Sequence, residues 1–396
     1  MKASAFHEKL RRRYRSRAIL RRDLASLFWA AVGVALFVLS YNLVHTPDGP
    51  QHWSADWITS LLSERHQSQD KRVALVYITS ATLQSLPYTE PVDRGILAKV
   101  VTTADQAGAK AIGLDFVFDR VSDPAKDAAL REAIAQAQVP VVIGVLDGRS
   151  PLGSANLSWQ DDFLRSAGYP SSRLSAGHLY FDERRNSYII SDHVIRAIAP
   201  NKDGATYRLS FAEALAKAGR WPEALKSPQI SWLLPPYDGT ETFLTVSAQD
   251  IIDRGLLAQP DTLKTLLGDR YVIIGGNFDD RDQHFTPLSV RDDARYPGAW
   301  IHAQVLTQIL DRRATYAPGW AAEVAIATVV AGFGFWIGRK EIANRDHRVA
   351  EVAAALALML VTVLSFLVHF LFPFTLVFFW GMIGLAAGHY GRWKYT

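Results

Sequence analysis

Asp115 and Asp119 stand four residues apart at the close of the apolar run AIGLDFVFD. A strand that persisted through both would project the two carboxylates from one face. Paired acids at a strand end could hold a metal ion, or serve phosphoryl transfer through an aspartate nucleophile with magnesium. That second chemistry ordinarily spaces its acids two residues apart and recruits a lysine, and neither feature stands out here. Capping the next turn, or accepting backbone amides, is the plainer role for Asp115. Farther along, Asp279, Asp280, Asp282 and His284 crowd three carboxylates and an imidazole into six residues. Their donors could hold a divalent cation, although loop acids more often cap turns or face water, and the metal is left open. Gly275-Gly276-Asn277 could bring backbone amides to an anion, but no Gly-Lys-Ser/Thr follows, so no nucleotide or other cofactor is expected. His302 follows the Pro297-Gly298 turn at the start of a helical run, within reach of a strand-end carboxylate such as Asp115 or Asp282. Asp115, Asp119, Asn277, Asp282 and His302 are the candidates for ligand binding or relay, and none is assigned a catalytic role.

The elements that would position them are legible as apolar runs. Val73–Ile78, Ala111–Phe118, Val139–Leu146 and Tyr271–Gly276 are β-branched and almost continuously apolar, as in a parallel sheet covered on both faces. Amphipathic stretches separate the first three, which predicts strand-helix-strand crossovers and an α/β sandwich. In such sheets ligands sit beyond the carboxyl ends of the strands. There Asp115 should meet Ile78–Ser80, Gly144–Asp147 and Gly275–Asp282 in a polar crevice. Between the third and fourth runs, GHLYFDERRNSYIISDHVIRAI alternates polar and apolar residues and predicts an antiparallel insertion. An amphipathic helix closed by Gly219 follows, and Ser247 is expected to cap a short helix.

On both sides of this region the charges vanish. No Asp, Glu, Lys or Arg occurs in residues 24–45, and none in the 40 residues from Val352 to Gly391. At 1.5 Å per residue, about 20 residues cross a hydrocarbon core of ~30 Å. Four spans are expected, at 24–45, 319–338, 349–371 and 373–391, the last two separated at Phe372-Pro373. Basic loops stay cytoplasmic. Residues 1–23 carry nine Lys+Arg against two acids, and the loop 339–348 and the tail 392–396 are basic as well. Residues 46–318 instead hold 28 Lys+Arg against 33 Asp+Glu, a net of −5. Both termini should therefore be cytoplasmic and residues 46–318 periplasmic, with the first span an uncleaved anchor, since no small-residue cleavage site follows it. A basic cluster beside a span is a topology signal and a contact for anionic lipid, so nucleic acid is not expected as a partner. The chain has no cysteine, which removes thiol catalysis and cysteine-ligated metals. Glu323, Glu351, His369 and His389 lie near span ends, not at the bilayer centre, which argues against a transport pathway. Gly332, Gly334 and Gly338 could let the second span approach another helix, in a partner or in a second copy.

The runs AGAKAIGLDFVFD, YVIIGGNFDDRDQHFTPL and YPGAWIHAQVLTQIL, the last just before three spans, resemble the type-two CHASE extracellular sensory domain. The resemblance covers Trp57 to Arg313. One span before the domain and three after it is the usual arrangement in that family, and it implies ligand sensing outside with signalling inside. Family members commonly continue into a cyclase or kinase, whereas this chain ends six residues after Tyr390. A separate protein is therefore expected to carry the output. His302 is the preferred relay residue, because a ligand or proton there acts on the segment entering the membrane. Two other readings are a membrane-anchored periplasmic metal-dependent hydrolase using Asp115, Asp119 and Asp282, and a structural protein that binds an envelope partner.

Overall fold

The computed structural model describes residues 50–84, 88, 90–150, 152–182, 194–199, 206–253, 260–279, 281–291, 293–339 and 344–393. They fall into two compact units, one built on residues within 55–322 and 344–372, the other on 50–54, 323–339 and 373–393. The expected first span lies outside the described residues.

The first unit is an α/β sandwich. Its strands are β1 (Glu64–Arg65), β2 (Asp70–Thr79), β3 (Ala111–Asp115), β4 (Val141–Val145), β5 (Leu174–His178), β6 (Leu233–Leu234), β7 (Phe243–Ser247), β8 (Tyr271–Asn277), β9 (Gln283–His284) and β10 (Tyr296–Pro297). Six of them form one parallel sheet in the order β5-β4-β3-β8-β2-β7. The four expected runs occupy its centre, and β5 and β7 extend it at the two edges. Helices α1 (Pro50–Leu62), α2 (Ser80–Leu83), α3 (Arg94–Gln106), α4 (Pro124–Gln136), α5 (Ser154–Ser166), α6 (Phe211–Ala218), α7 (Ala248–Asp253), α8 (Pro260–Leu267) and α9 (Gly298–Leu310) complete it. Several begin where their caps require. Asp93 accepts from Ile96 N at 3.0 Å before α3, and Ser210 with Glu213 forms a capping box before α6. Ser247 Oγ accepts from Gln249 N at 3.2 Å, as its position predicts.

Each sheet face is buried. Ala74, Val76, Ile78, Ile112 and Leu114 pack against α3, α4, α5, α7 and α8, while Val73, Leu75, Tyr77 and Ile273 pack against α6 and α9. Alternate residues of a strand supply the two cores, which is why these runs are apolar at every position. The expected antiparallel insertion is present in part. Gly177 and His178, assigned to it from sequence, instead end the parallel strand β5, because Leu174–His178 pairs residue for residue with Val141–Val145. Antiparallel bridges join Phe181 to Ile198 and Ala197 to Gln229. Of the charged centre expected at Asp182 to Asn186, all but Asp182 lies outside the described residues.

Three long apolar helices follow: α10 (Trp320–Arg339), α11 (Asn344–Leu367) and α12 (Phe374–Trp393). Among the described residues only Trp320–Gly338 is long and apolar enough by itself to cross a membrane, and Val352–Leu367 and Phe374–Ala387 are shorter apolar helices. The turn after α11 pairs with the segment after α9: Tyr316 N donates to His369 O and Leu371 N to Tyr316 O, both at 2.8 Å. In the second unit, α10 and α12 meet through small residues. A Cβ on Gly334 would lie 2.4 Å from Gly381 O, and one on Gly384 would lie 2.0 Å from Ala331 O. Only glycine permits that approach. Gly332, singled out with Gly334 from sequence, faces open space.

Candidate functional site: a cleft at the strand ends

The insertion of β8 between β2 and β3 makes the site. β3 leads to α4 on one face of the sheet and β8 leads to α9 on the other, so a crevice opens where their carboxyl ends diverge. Tyr77, Gly275 and Asp115 stand side by side in register across β2, β8 and β3. Tyr77 belongs to the α9 face, and the shared register turns Asp115 to that face too. Gly275, in the middle, has no side chain because α9 sits on it: a Cβ there would lie 2.4 Å from Ala299 Cβ. The result is a cleft of about 690 Å³, within the size range of small-molecule pockets.

Asp115 and His302 face each other across its floor, with His302 Nε2 3.8 Å from Asp115 Oδ1 and both side chains buried. That spacing is an electrostatic contact, not a hydrogen bond. Asp115 Oδ2 and His302 Nδ1 are each buried without a hydrogen-bond partner. Burial, and then the neighbouring Asp282, push the Asp115 carboxyl well above the usual carboxylate range. Burial, with His178 and His284 adding to it, pulls His302 down to about 3. His302 is the fifth residue of α9 and stacks on Phe181 at 4.6 Å between ring centroids, with Phe211 edge-on at 5.0 Å.

The loop from β8 to α9 closes one wall. β9 and β10 pair antiparallel, His284 against Tyr296, which brings Asp282 and His284 to the start of α9. His284 Nε2 lies 3.2 Å from Asp282 Oδ1. A methyl group on Gly298 would lie 2.8 Å from Asp282 Oδ1 and 3.5 Å from Asp115 Oδ2. The two carboxylates thus converge on a small space that glycine leaves open at the head of α9.

A family model described as the CHASE2 domain matches residues 30–337, a span that contains every residue of the cleft. The chain belongs to the CHASE2 family. CHASE2 is an extracellular sensory domain family, and the match extends beyond Trp57–Arg313 at both ends. Comparison with curated proteins and with solved structures gave no match.

Within this CHASE2 domain the sequence candidates separate. Asp115, Asp282 and His302 come together in the cleft. Asp119 lines it too, but not by continuing the strand: β3 ends at Asp115, and Asp119 pairs with Arg120 at 3.0 Å and accepts from Asn156 at 3.2 Å. Asn277 ends β8 and accepts from Gln283 Nε2 at 2.9 Å, outside the cleft lining. Asp279 is exposed, Asp280 lies outside the described residues, and among the described residues no three His, Asp or Glu side chains are grouped to hold a metal.

Other residues were not singled out from sequence. Arg94 is fully buried, joined to Asp127, and lies over Trp159 at 4.7 Å and Phe118 at 5.3 Å. His178, buried and held down to about 4 by burial and then by Arg149, lies behind His302. Phe181 forms the ring contact that fixes His302. The only local signal for these is the aromatic density around Gly177–Phe181 and Phe116–Phe118.

α9 leads away from the cleft as a buried rod. Gln304 exchanges two hydrogen bonds with Leu233, at 2.8 and 3.0 Å, and Gln308 bonds Ser231 N and Gln229 O at 2.8 and 2.9 Å. Just past its end, Asp311 meets Arg72 at 2.7 Å near the start of β2. The helix therefore runs from the carboxyl edge of the sheet to its amino edge. Trp320 and α10 follow in the chain.

Proposed function

We propose that this CHASE2 protein is a non-enzymatic sensory subunit of a bacterial inner membrane, anchored by four spans with residues 46–318 in the periplasm. The cleft binds a small extracytoplasmic ligand, and α9 passes its occupancy to the spans and to a separate signalling or envelope protein. One observation carries this reading. α9 is at once a wall of the cleft and the last helix of the domain before α10. A ligand that contacts α9 differently in two states shifts their populations, and the chain that follows must respond.

The helices support the membrane placement. Val352, Leu356, Leu360, Leu364 and Leu367 of α11 and Val329, Phe333 and Trp336 of α10 are exposed, as lipid-facing positions must be. The pairing of Tyr316 with His369 and Leu371 favours a turn between the last two spans on the same side as the domain. Because the chain has no cysteine, single cysteines report topology without background. In cells with a permeabilised outer membrane, a membrane-impermeant maleimide should label Asp162→Cys, and should label Asn344→Cys only after lysis. Labelling of Asn344→Cys without lysis, with Asp162→Cys protected, would overturn the arrangement.

A further inference from the structure

Charge bookkeeping around the cleft leaves a definite remainder. Three guanidinium groups line it, and each has a carboxylate of its own: Arg94 with Asp127, Arg120 with Asp119, and Arg281 with Glu90. Two lining carboxylates, Asp115 and Asp282, have no Lys or Arg partner among these pairs, and a histidine stands beside each. Asp115 Oδ2 is buried with no hydrogen-bond donor, and His302 Nδ1 beside it also lacks a partner. Asp282 Oδ1 and Asp115 Oδ2 lie 2.8 and 3.5 Å from where a methyl group on Gly298 would stand, so both reach the same stretch of the cleft wall, which glycine leaves open.

Resting on the reading of the cleft as the sensing site, we propose that its ligand is a small primary amine, bound as the ammonium ion between Asp115 and Asp282. A primary ammonium has three N–H donors and no acceptor, which matches a neutral imidazole nitrogen and two carboxyl groups, and its positive charge would favour the ionised form of Asp115. Phe116, Phe118, Leu152, Leu179 and Phe181 line the remaining cleft and suit the carbon chain of such a ligand, with aromatic faces favourable to a cation. A quaternary ammonium lacks the donors, and an anion would meet two carboxylates. A bare divalent ion would leave the apolar lining unused and finds no group of three His, Asp or Glu among the described residues.

Isothermal titration of the intact chain in lipid nanodiscs tests this with four probes of one shape: butylammonium, butyltrimethylammonium, butan-1-ol and butyrate. Butylammonium should bind with a submillimolar Kd, each of the others at least about tenfold more weakly, and Asp115→Asn should weaken butylammonium by about tenfold or more while melting no lower than the parent. Gly298→Leu, whose first side-chain carbon would lie 2.8 Å from Asp282 Oδ1 and 3.5 Å from Asp115 Oδ2, should abolish binding. No butylammonium binding at roughly 10 mM would overturn the proposal, as would undiminished binding to Asp115→Asn. Calcium binding that depends on Asp115 and displaces butylammonium would overturn it as well. Butyrate or butan-1-ol bound at least as tightly, and lost in Gly298→Leu, would overturn the amine while leaving the cleft as the sensing site.

Discussion

Asp127→Ala is expected to destabilise the sensory domain by about 3 to 5 kcal/mol, a large part of the total stability of a typical domain. The variant would strand Arg94, which is fully buried at the first turn of α3 and finds its charge partner in the first turn of α4. Ser122 N would also lose the acceptor it has at 3.2 Å. The cost comes from a charge left in a site walled by Trp159, Phe118 and Phe163, not from the strength of the pair itself. Replacing both members, as in Arg94→Met with Asp127→Leu, should therefore recover most of the loss. Thermal melts of the two variants in detergent check this. A single variant that melts with the parent would show that the pair does not hold α3 to α4.

Acidification should unfold the protein through His302 and His178. Folded, they stay neutral down to about 3 and about 4, because burial opposes their charge. Unfolded, each takes a proton near pH 6.5. The unfolded state thus binds more protons as pH falls from about 6.5 toward 3, and stability declines through that window. A tenfold difference in proton affinity between the two states corresponds to ~1.4 kcal/mol, so the loss from His302 alone is of the order of a few kcal/mol. Asp115 works in the opposite direction. Its carboxyl is raised in the folded state, so it lowers stability as pH rises from about 4 toward its folded value. His302→Phe, which keeps a ring against Phe181 and Phe211, should flatten the acid limb, and Asp115→Asn should flatten the other. Stability curves from pH 4 to 8 decide it: an acid limb in His302→Phe as steep as the parent's would remove His302 from this role.

The centre of the fold is legible because Val73–Ile78, Ala111–Asp115, Val139–Leu146 and Tyr271–Gly276 are buried on both faces and must be apolar throughout. The edge strands are not. Leu174-Ser175-Ala176-Gly177-His178 has no β-branched residue, and its pairing with β4 decides its state. Strand order has no local signature, so nothing in the chain says that β8 lies between β2 and β3. That order alone turns Asp115 toward His302, and it separates a true pair from the plausible one of Asp115 with Asp119. Pattern alone misplaces Asp119, because Phe116-Val117-Phe118 continues the apolar pattern of a strand while its residues leave the sheet for the cleft wall. Arg94 and His178 stay hidden because each is a lone polar residue whose buried environment is built by distant segments. The apolar helices α10, α11 and α12 are visible as gaps in charge, because composition and not sequence order marks them.

The central claim is that filling the cleft moves the helix that leads to the membrane. Spin labels on cysteines replacing Asp162 on α5 and Arg312 just after α9, both exposed in the parent, measure it in an otherwise cysteine-free chain. Double electron–electron resonance on the nanodisc-embedded protein should give one distance distribution for the empty cleft. A displaced distribution is expected with saturating butylammonium and, independently of any ligand, in the Gly298→Leu background. A distribution identical in all three states would contradict the coupling of this cleft to the membrane.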